Sequence, residues 1–308
     1  MKEGLVIKST GSWYTVKTAE GEIHNCRIKG KFRMEGIRTT NPIAVGDMVD
    51  FESNKDAEVI VGIHDRKNYI IRKSSNLSKR SQIIASNVDQ AFLIVTVNYP
   101  LTTTTFIDRF LTAAEAYRIP VRLIFNKIDR YRPNDMVRLS ELKNTYEKIG
   151  YKCFEISAKK EIHLDVIKET LKGKINLLSG HSGVGKSTLI NAIQPGLDLK
   201  TGEISESHAQ GKHTTTFSEM FELDFSGYII DTPGIRGFGT IDMEKEEMSH
   251  FFPEIFKISK NCQFHNCSHI HEPGCAVKAA VEEGEISLSR YESYLGMILE
   301  DEDNKYRI

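Results

Sequence analysis

Hydrophobic and polar residues alternate in short runs through the first part of the chain. Residues 1–63 contain runs such as WYTV at 13–16 and MVDF at 48–51, separated by glycines and charged residues. Several short strands at this spacing are typical of a small β-barrel. Five strands in this length predict an OB-fold, a barrel whose face commonly binds oligonucleotides, and we place this domain at residues 1–68.

A different pattern begins near residue 89, where near-continuous apolar runs alternate with helix-like segments. Strands are predicted at 91–95, 121–125, 152–156, 174–178 and 227–230, and helices at 103–117, 134–149 and 161–171. Buried strands that alternate with helices are typical of a mostly parallel sheet. We place this α/β domain at residues 69–240 and a mainly helical domain at 241–308. Residues 64–82 have little periodicity, which predicts a linker or a basic arm.

Charge is distributed unevenly along the chain. Residues 1–80 hold 15 Lys and Arg against 10 Asp and Glu, a net charge of +5, whereas residues 241–308 hold 7 against 14, a net charge of -7. A basic front end favours contact with RNA phosphates, although an ordinary solvated surface has the same composition. Three aromatic residues of the barrel either stack on bases or form part of its core: Trp13, Tyr14 and Phe32.

Composition excludes a membrane-spanning protein. The chain has 308 residues, of which 40% are hydrophobic and 27% charged, as in soluble globular proteins. No apolar run reaches the roughly 18 residues that a membrane span requires. The first residues lead directly into a strand-like run without the pattern of a signal peptide, so we expect a cytoplasmic protein.

The segment from Gly180 to Ser187 matches the pattern G-x-x-x-x-G-K-[ST] between a predicted strand and a predicted helix. Its glycines let the backbone wrap, so that N–H groups point at phosphate oxygens, and the following helix adds its positive end. We expect Lys186 to contact the β- and γ-phosphates of a nucleotide and the Ser187 hydroxyl to bind Mg²⁺. The nucleotide-binding residues assigned here are Gly180, His181, Ser182, Gly183, Val184, Gly185, Lys186, Ser187 and Thr188.

Two further motifs, N-K-x-D and S-A-K, each follow a predicted strand and indicate guanine as the base. Their residues are Asn126, Lys127 and Asp129, and Ser157, Ala158 and Lys159. A carboxylate at position 129 accepts hydrogen bonds from N1–H and from the N2 amine of guanine, and adenine has neither donor. We expect Asn126 to brace the loop, Lys127 to lie along the base, and the backbone of the second motif to meet guanine O6.

A D-x-x-G motif follows the strand predicted at 227–230. Asp231 is expected to hold Mg²⁺ through water, and the Gly234 amide to meet the γ-phosphate. Ile235 stands where many GTPases have a glutamine that orients the attacking water, so intrinsic hydrolysis is expected to be slow. The candidate replacement is His213, which lies in the long polar loop 196–216.

The same loop offers three threonines as the Mg²⁺ ligand that completes the shell when GTP is bound. They are Thr214, Thr215 and Thr216, and we favour Thr215. The predicted catalytic residues are therefore His213, Lys186 and Thr215.

A cysteine- and histidine-rich segment lies near the C-terminus. Its spacing is Cys262-x4-Cys267-x-His269-x5-Cys275. Three thiolates and one imidazole form a closed tetrahedral set that is typical of structural zinc, without an open position for catalysis. His265 and His271 are rival ligands, and His271 is the more serious rival.

The order of the motifs is unusual, because the guanine motifs precede the phosphate loop. This order indicates a circularly permuted GTPase. Together with the Cys/Cys/His/Cys set, it resembles the RsgA family (also called YjeQ or YloQ) of bacterial small-ribosomal-subunit biogenesis GTPases over nearly the whole chain. The resemblance implies an OB-fold barrel, a permuted P-loop GTPase domain and a zinc-binding C-terminal domain.

The same resemblance implies GTP hydrolysis stimulated by the small (30S) ribosomal subunit, late in its maturation, and contact with its rRNA. It implies that Cys262, Cys267, His269 and Cys275 bind one structural Zn²⁺, that Mg²⁺ accompanies GTP or GDP, and that His213 aids catalysis. We expect a monomer without membrane contact. The alternatives are a metabolic phosphotransferase, which N-K-x-D opposes, and an RNA-binding scaffold with negligible hydrolysis, which Ile235 favours.

Overall fold

The computed structural model describes residues 1–28, 42–53, 57–73, 81–197, 218–231 and 244–299. Its strands are β1 (Lys2–Ser9), β2 (Tyr14–Lys17), β3 (Ile23–Ile28), β4 (Met48–Ser53), β5 (Glu58–Ile63), β6 (Tyr69–Lys73), β7 (Ser81–Ser86), β8 (Gln90–Val95), β9 (Val121–Phe125), β10 (Lys152–Glu155), β11 (Ile175–Ser179), β12 (Ser218–Glu222) and β13 (Tyr228–Asp231). Its α-helices are α1 (Thr104–Ala116), α2 (Pro133–Ile149), α3 (Leu164–Leu171), α4 (Lys186–Ile193), α5 (Pro253–Ser259), α6 (Ala276–Glu282) and α7 (Leu288–Leu299).

The first five strands form a closed barrel, which confirms the predicted OB-fold. They follow the order β1-β2-β3-β5-β4, and β4 pairs back with β1. Alternate residues point inward, so that Val6, Val16 and Phe51 are fully buried. Tyr14 belongs to this core, whereas Trp13 is 39% exposed with the Arg27 guanidinium 3.9 Å above its ring. Base stacking therefore remains a candidate role for Trp13 but not for Tyr14, and Phe32 lies outside the described residues.

The α/β part forms the predicted, mostly parallel sheet. Its order is β10-β9-β8-β11-β13-β12, and only β12 runs antiparallel to its neighbour within this part. Every residue of β8 is buried, because Leu93 and Val95 face one hydrophobic core while Phe92 and Ile94 face the other. Burial on both faces explains why this strand has no polar alternation.

The barrel and the α/β sheet form one continuous sheet of 11 strands. The joint is an antiparallel pairing of β1 with β12, in which Lys8 lies opposite Glu219 and Ser9 opposite Ser218. The Lys8 ammonium lies 2.9 Å from the Glu219 carboxylate. A second ion pair joins Lys17 of the barrel to Glu222 of β12.

The prediction of a linker at 64–82 is wrong for residues 69–73 and 81–82, and residues 74–80 lie outside the described part of the chain. The stretch contains β6 and the start of β7, which pair as a separate antiparallel hairpin. The hairpin is tied to the barrel by the fully buried Asp47 carboxylate. This carboxylate accepts a bond of 2.6 Å from Arg66 Nε and one of 2.6 Å from the Ser86 hydroxyl. Polar anchors of this kind leave no periodic signal in the sequence.

The C-terminal helices pack around a hydrophobic core of their own and dock on α1 through a buried arginine. Arg290 of α7 is 0% exposed. Its Nη1 donates to Asp108 of α1 at 2.8 Å, and its Nε donates to Glu254 of α5 at 2.7 Å. Asp108 also accepts a 2.9 Å bond from the Tyr146 hydroxyl. No helix among the described residues is long and apolar enough to cross a membrane.

Replacing Arg290 with methionine is expected to destabilise the docked helices by about 3–5 kcal/mol, because Asp108 would be left buried, and Glu254 partly buried, without their cation. Hydrogen exchange of the α7 amides measures this free energy of opening directly. Lys2→Met is the matched control, since Lys2 forms an exposed ion pair with Glu22 at 2.9 Å, and exposed pairs contribute little to stability. Equal, small losses in both variants would show that Arg290 does not hold the helices in place.

Candidate nucleotide and metal sites

The phosphate loop connects β11 to α4 and is tightly wrapped. Gly180, Gly183 and Gly185 all have positive φ, at 149°, 82° and 99°. A Cβ added at Gly180 would lie 2.5 Å from the carbonyl oxygen of Ile94, and one at Gly185 would lie 2.5 Å from Asn126 Nδ2. Both contacts are far shorter than any real Cβ contact, so these two positions require glycine for packing as well as for conformation.

Two lysines hold the loop through its carbonyl groups. Lys186 Nζ donates to Gly180 O at 2.5 Å and to His181 O at 3.0 Å. Lys127 Nζ reaches from the N-K-x-D motif to Gly183 O at 2.5 Å. Burial lowers the pKa of Lys127, and the nearby Arg130 lowers it further. A cation beside the first turn of a helix that follows a glycine-rich loop is an arrangement suited to phosphate.

Asn126 joins the two guanine motifs to the phosphate loop. Its side chain is almost fully buried directly after β9. The Nδ2 group donates to Val184 O at 2.8 Å, and Oδ1 accepts from Ala158 N at 3.0 Å. One side chain thus contacts a residue of each of the other two motifs, although Ala158 and Val184 lie 32 and 58 positions away along the chain.

Asp129 lies in a short 3-10 turn, Ile128–Arg130, and is held by the S-A-K motif. The buried Ser157 hydroxyl donates to Asp129 Oδ1 at 2.5 Å and accepts from Lys160 N at 3.1 Å. Asp129 itself is exposed, as is Lys159. A carboxylate that is held by one hydrogen bond and is open to solvent remains available to a ligand.

Two groups that the sequence patterns did not single out also support the site. Thr102, near the start of α1, has its hydroxyl 2.7 Å from His181 Nε2, and His181 Nδ1 lies 3.0 Å from Ser182 O. Burial lowers the pKa of His181. The Tyr131 hydroxyl contacts the backbone of Asn126. Neither Thr102 nor Tyr131 belongs to a recognisable motif, so no sequence signal marks them.

The structure describes only some of the remaining predicted site residues. Ser187 and Thr188 lie in the first turn of α4 and are partly buried. Ser182 lies exposed in the loop before α4. The backbone of Asp231 ends β13, the strand beside β11. Gly234, His213 and Thr215 lie outside the described residues, so their roles stay predictions.

The cysteine-rich segment brings its predicted ligands together. One ligand atom from each of Cys262, Cys267, His269 and Cys275 lies within 4.8 Å of all the others. Cys262 Sγ is 4.0 Å from Cys275 Sγ, and His269 Nδ1 is 3.6 Å from the first sulfur and 3.5 Å from the second.

These separations fit tetrahedral zinc. Zn–S bonds of about 2.3 Å and Zn–N bonds of about 2.0–2.1 Å give S···S edges of about 3.8 Å and S···N edges of about 3.6 Å. His265 and His271 are exposed and lie outside the cluster. The geometry therefore favours His269 over both rivals.

Hydrogen bonds around the cluster hold the loop that carries His269. Tyr291 of α7 donates its hydroxyl to His269 O at 2.6 Å, and Tyr294 donates to Ser268 O at 2.9 Å. The Glu272 carboxylate accepts bonds from Ser268 N at 2.6 Å and Ile270 N at 3.0 Å. Burial raises the pKa of Glu272, but hydrogen bonds from Ser268, from the backbone of Glu272 itself and from Ile270 outweigh it and lower the pKa to about 2. Partners that fix the backbone of a ligand are a usual feature of metal centres.

Comparison with known proteins gives matches over the whole chain. A family model described as RsgA GTPase matches residues 63–241, and one described as RsgA N-terminal domain matches residues 3–61. The chain is 62% identical over 306 residues to small ribosomal subunit biogenesis GTPase RsgA 2 of Bacteroides thetaiotaomicron, covering 99% of each protein. It is 56% identical over 310 residues to small ribosomal subunit biogenesis GTPase RsgA of Christiangramia forsetii, covering 99% of this chain and 98% of that one.

Two solved structures are also similar over nearly their full length. YjeQ from Thermotoga maritima matches with a TM-score of 0.79 and 38% identity, covering 96% of this chain and 97% of that one. YloQ, described as a circularly permuted GTPase, matches with a TM-score of 0.77 and 31% identity, covering 100% of this chain and 97% of that one.

Proposed function

The chain belongs to the RsgA family of GTPases and is a GTP hydrolase, and on this premise we propose that it assists maturation of the small (30S) ribosomal subunit. It converts GTP to GDP and phosphate, with stimulation by the subunit. The observation that carries the proposal is the Asn126 side chain, which links the guanine motifs to the phosphate loop at 2.8 and 3.0 Å. This link between the motifs supports a single nucleotide site despite their reversed order in the chain.

Each motif has a role in this proposal. Asp129 binds the guanine edge, while Lys127 supports the base. Lys186 and the N–H groups of the phosphate loop bind the β- and γ-phosphates. The Ser187 hydroxyl, Thr215 and Asp231 would hold Mg²⁺, a hard cation that prefers oxygen ligands. Mg²⁺ held there would supply positive charge that offsets the charge of the phosphates.

A structural Zn²⁺ would be held by Cys262, Cys267, His269 and Cys275. Support comes from the fit of their separations to a tetrahedron and from a donor set without an open position. Held by these four residues, the metal would have a structural role and would cross-link the loop between α5 and α6.

The partners proposed are the small ribosomal subunit and its rRNA. The barrel supplies the exposed Trp13 and Arg27, an aromatic and a cation of the kind that contact single-stranded RNA. The proposed domain bounds are 1–68 for the barrel, 69–240 for the GTPase domain and 241–308 for the zinc domain. We further propose a cytoplasmic monomer.

His213→Ala is expected to reduce subunit-stimulated turnover by about 10²–10⁴-fold, the usual contribution of a group that transfers or positions a proton. GTP affinity should stay within about twofold, because the base and phosphate contacts come from other residues. The measurement is phosphate release by wild type and variant, with and without purified small subunits. His208→Ala is the matched control, since His208 lies in the same polar loop.

The same assay tests the proposed function. Stimulation by small but not large subunits supports it. Tight GTP binding with no stimulated release would instead support an RNA-binding scaffold, the alternative that Ile235 favours. Unchanged turnover in His213→Ala would remove only the role of that histidine.

A further inference from the structure

Tyr131 lies immediately after the guanine-binding turn and bonds its backbone. Its hydroxyl donates to the carbonyl oxygen of Asn126 at 2.6 Å. The same hydroxyl accepts a bond of 2.9 Å from Val97 N. Burial raises the pKa of Tyr131 to about 12. The hydroxyl therefore keeps its proton, and both of these bonds, at neutral pH.

The carbonyl that Tyr131 holds precedes a strained residue. Lys127 has φ 69° and ψ 30°, in the left-handed region. A residue with a Cβ is disfavoured in this conformation, because its Cβ comes too close to the following carbonyl oxygen. Rotation of the Asn126–Lys127 peptide would move Lys127 toward negative φ and relieve the strain. That rotation would turn the Asn126 carbonyl away from the Tyr131 hydroxyl.

The position of Asp129 depends on this peptide, because the turn is short. Arg130 N bonds back to Lys127 O at 2.9 Å, and Ile128 N bonds to Ile156 O at 3.2 Å. Asp129 lies between these two anchors and meets Ser157 at 2.5 Å. A changed orientation at Lys127 would therefore move the carboxylate relative to the base.

The second bond of the hydroxyl reaches the loop that also contacts the phosphate loop. Val97 lies in the segment between β8 and α1. Further along this segment, Tyr99 O accepts from Lys127 Nζ at 2.7 Å. Tyr131 is thus fixed from the sheet side while it holds the turn.

We propose that the Tyr131 hydroxyl is a positioning group for guanine selectivity: it holds the Asn126–Lys127 peptide in its strained orientation and so places the Asp129 carboxylate against the base. This inference rests on the proposed guanine-nucleotide function. It adds a residue outside the N-K-x-D motif that acts through that motif.

The test is Tyr131→Phe, which removes one oxygen and keeps the ring. Affinities for GDP and IDP are measured by calorimetry, because hypoxanthine lacks the N2 amine that one oxygen of Asp129 would accept from. Affinity for GDP should fall about tenfold and affinity for IDP about threefold or less, so the GDP/IDP ratio falls at least threefold. This matches the loss of about one hydrogen bond, of order 1 kcal/mol. The kcat at saturating GTP should stay within twofold while KM rises.

Tyr117→Phe is the matched control. The Tyr117 hydroxyl also makes two backbone bonds, accepting from Ile71 N at 3.2 Å and donating to Ile71 O at 3.2 Å, but it lies beyond the C-terminal end of α1. The ratio of the affinities for GDP and IDP in Tyr117→Phe should equal that of wild type.

An unchanged ratio in Tyr131→Phe would overturn the proposal, even if both affinities fall equally, because equal loss indicates a structural role alone. A lowered ratio in Tyr117→Phe would overturn it as well. Failure of the wild type to bind GDP would be a distinct result, and it would refute the proposed function rather than the role of Tyr131.

Discussion

Replacing Asp129 with asparagine is expected to lower the affinity for GTP by about 10²–10⁴-fold and to create affinity for xanthosine triphosphate. The carboxylate would accept two hydrogen bonds from guanine, each worth about 1.5–3 kcal/mol because the acceptor is charged. A carboxamide presents one N–H₂ group to the base and so faces the guanine amine donor to donor. Xanthine has a carbonyl at that position, which accepts from the new group.

The position of the new side chain should be preserved. Ser157 donates its hydroxyl to Asp129 Oδ1 at 2.5 Å, and the oxygen of a carboxamide accepts the same bond. The variant therefore changes the chemistry of the site more than its shape.

Direct titrations of wild type and variant with GTP, XTP and ATP measure the expected change in selectivity. Asp135→Asn is the matched control, because Asp135 lies only six positions away and its carboxylate accepts a 3.0 Å bond from Arg132 N at the start of α2. That variant should keep wild-type preference for GTP. Full GTP affinity in Asp129→Asn would show that another group recognises guanine.

Loss of the metal is expected to have the second large effect, namely unfolding of the C-terminal helices. Residues 260–275 contain no regular helix or strand, and they carry the four clustered side chains. Structural zinc contributes on the order of 10 kcal/mol or more to the folding of small domains. The hydrophobic core of the C-terminal helices is small, and its burial contributes less than that to the free energy of folding.

Cys275→Ser, or a strong chelator, should therefore abolish bound zinc and expose the amides of α6 and α7 to hydrogen exchange. GDP affinity should persist, because the guanine and phosphate motifs are built from other elements. Zinc content and exchange protection are the two measurements. Cys153→Ser is the matched control, since Cys153 is a half-buried cysteine in β10, outside the cluster.

The same measurement separates the candidate histidines. His269→Ala should lose zinc, whereas His271→Ala should keep it. Retained zinc in Cys275→Ser, or protected amides after chelation, would contradict the structural role of the cluster.

The sequence predicted the elements whose signal is local. The continuous apolar run of β8 and the alternation of β2 both follow from which faces are buried, and each polar motif lies where a strand ends. The motif order was sufficient to indicate the permuted topology. Spacing alone left His269 and His271 as rivals, because the left-handed backbone of His269, with φ 61°, cannot be inferred from a count of residues.

Long-range polar contacts could not be predicted in this way. Arg290 would be expected on the surface of a helix, yet it is fully buried, because its partner Asp108 lies 182 positions earlier in the chain. Tyr131 resembles any loop tyrosine until its contact with Asn126 is known. The pairing of β1 with β12 likewise joins two strands that have no local relation in sequence.

That pairing has a mechanical consequence. β12 is bonded to β13 on one side and to β1 on the other, so a single strand separates Asp231 from the wall of the barrel. Ladder hydrogen bonds hold neighbouring strands at a nearly constant spacing. A displacement of the barrel by a large bound partner would therefore pass through β12 to β13, the strand that ends beside the phosphate loop. Mechanical strain on the barrel and the nucleotide site are thus separated by one strand, β12.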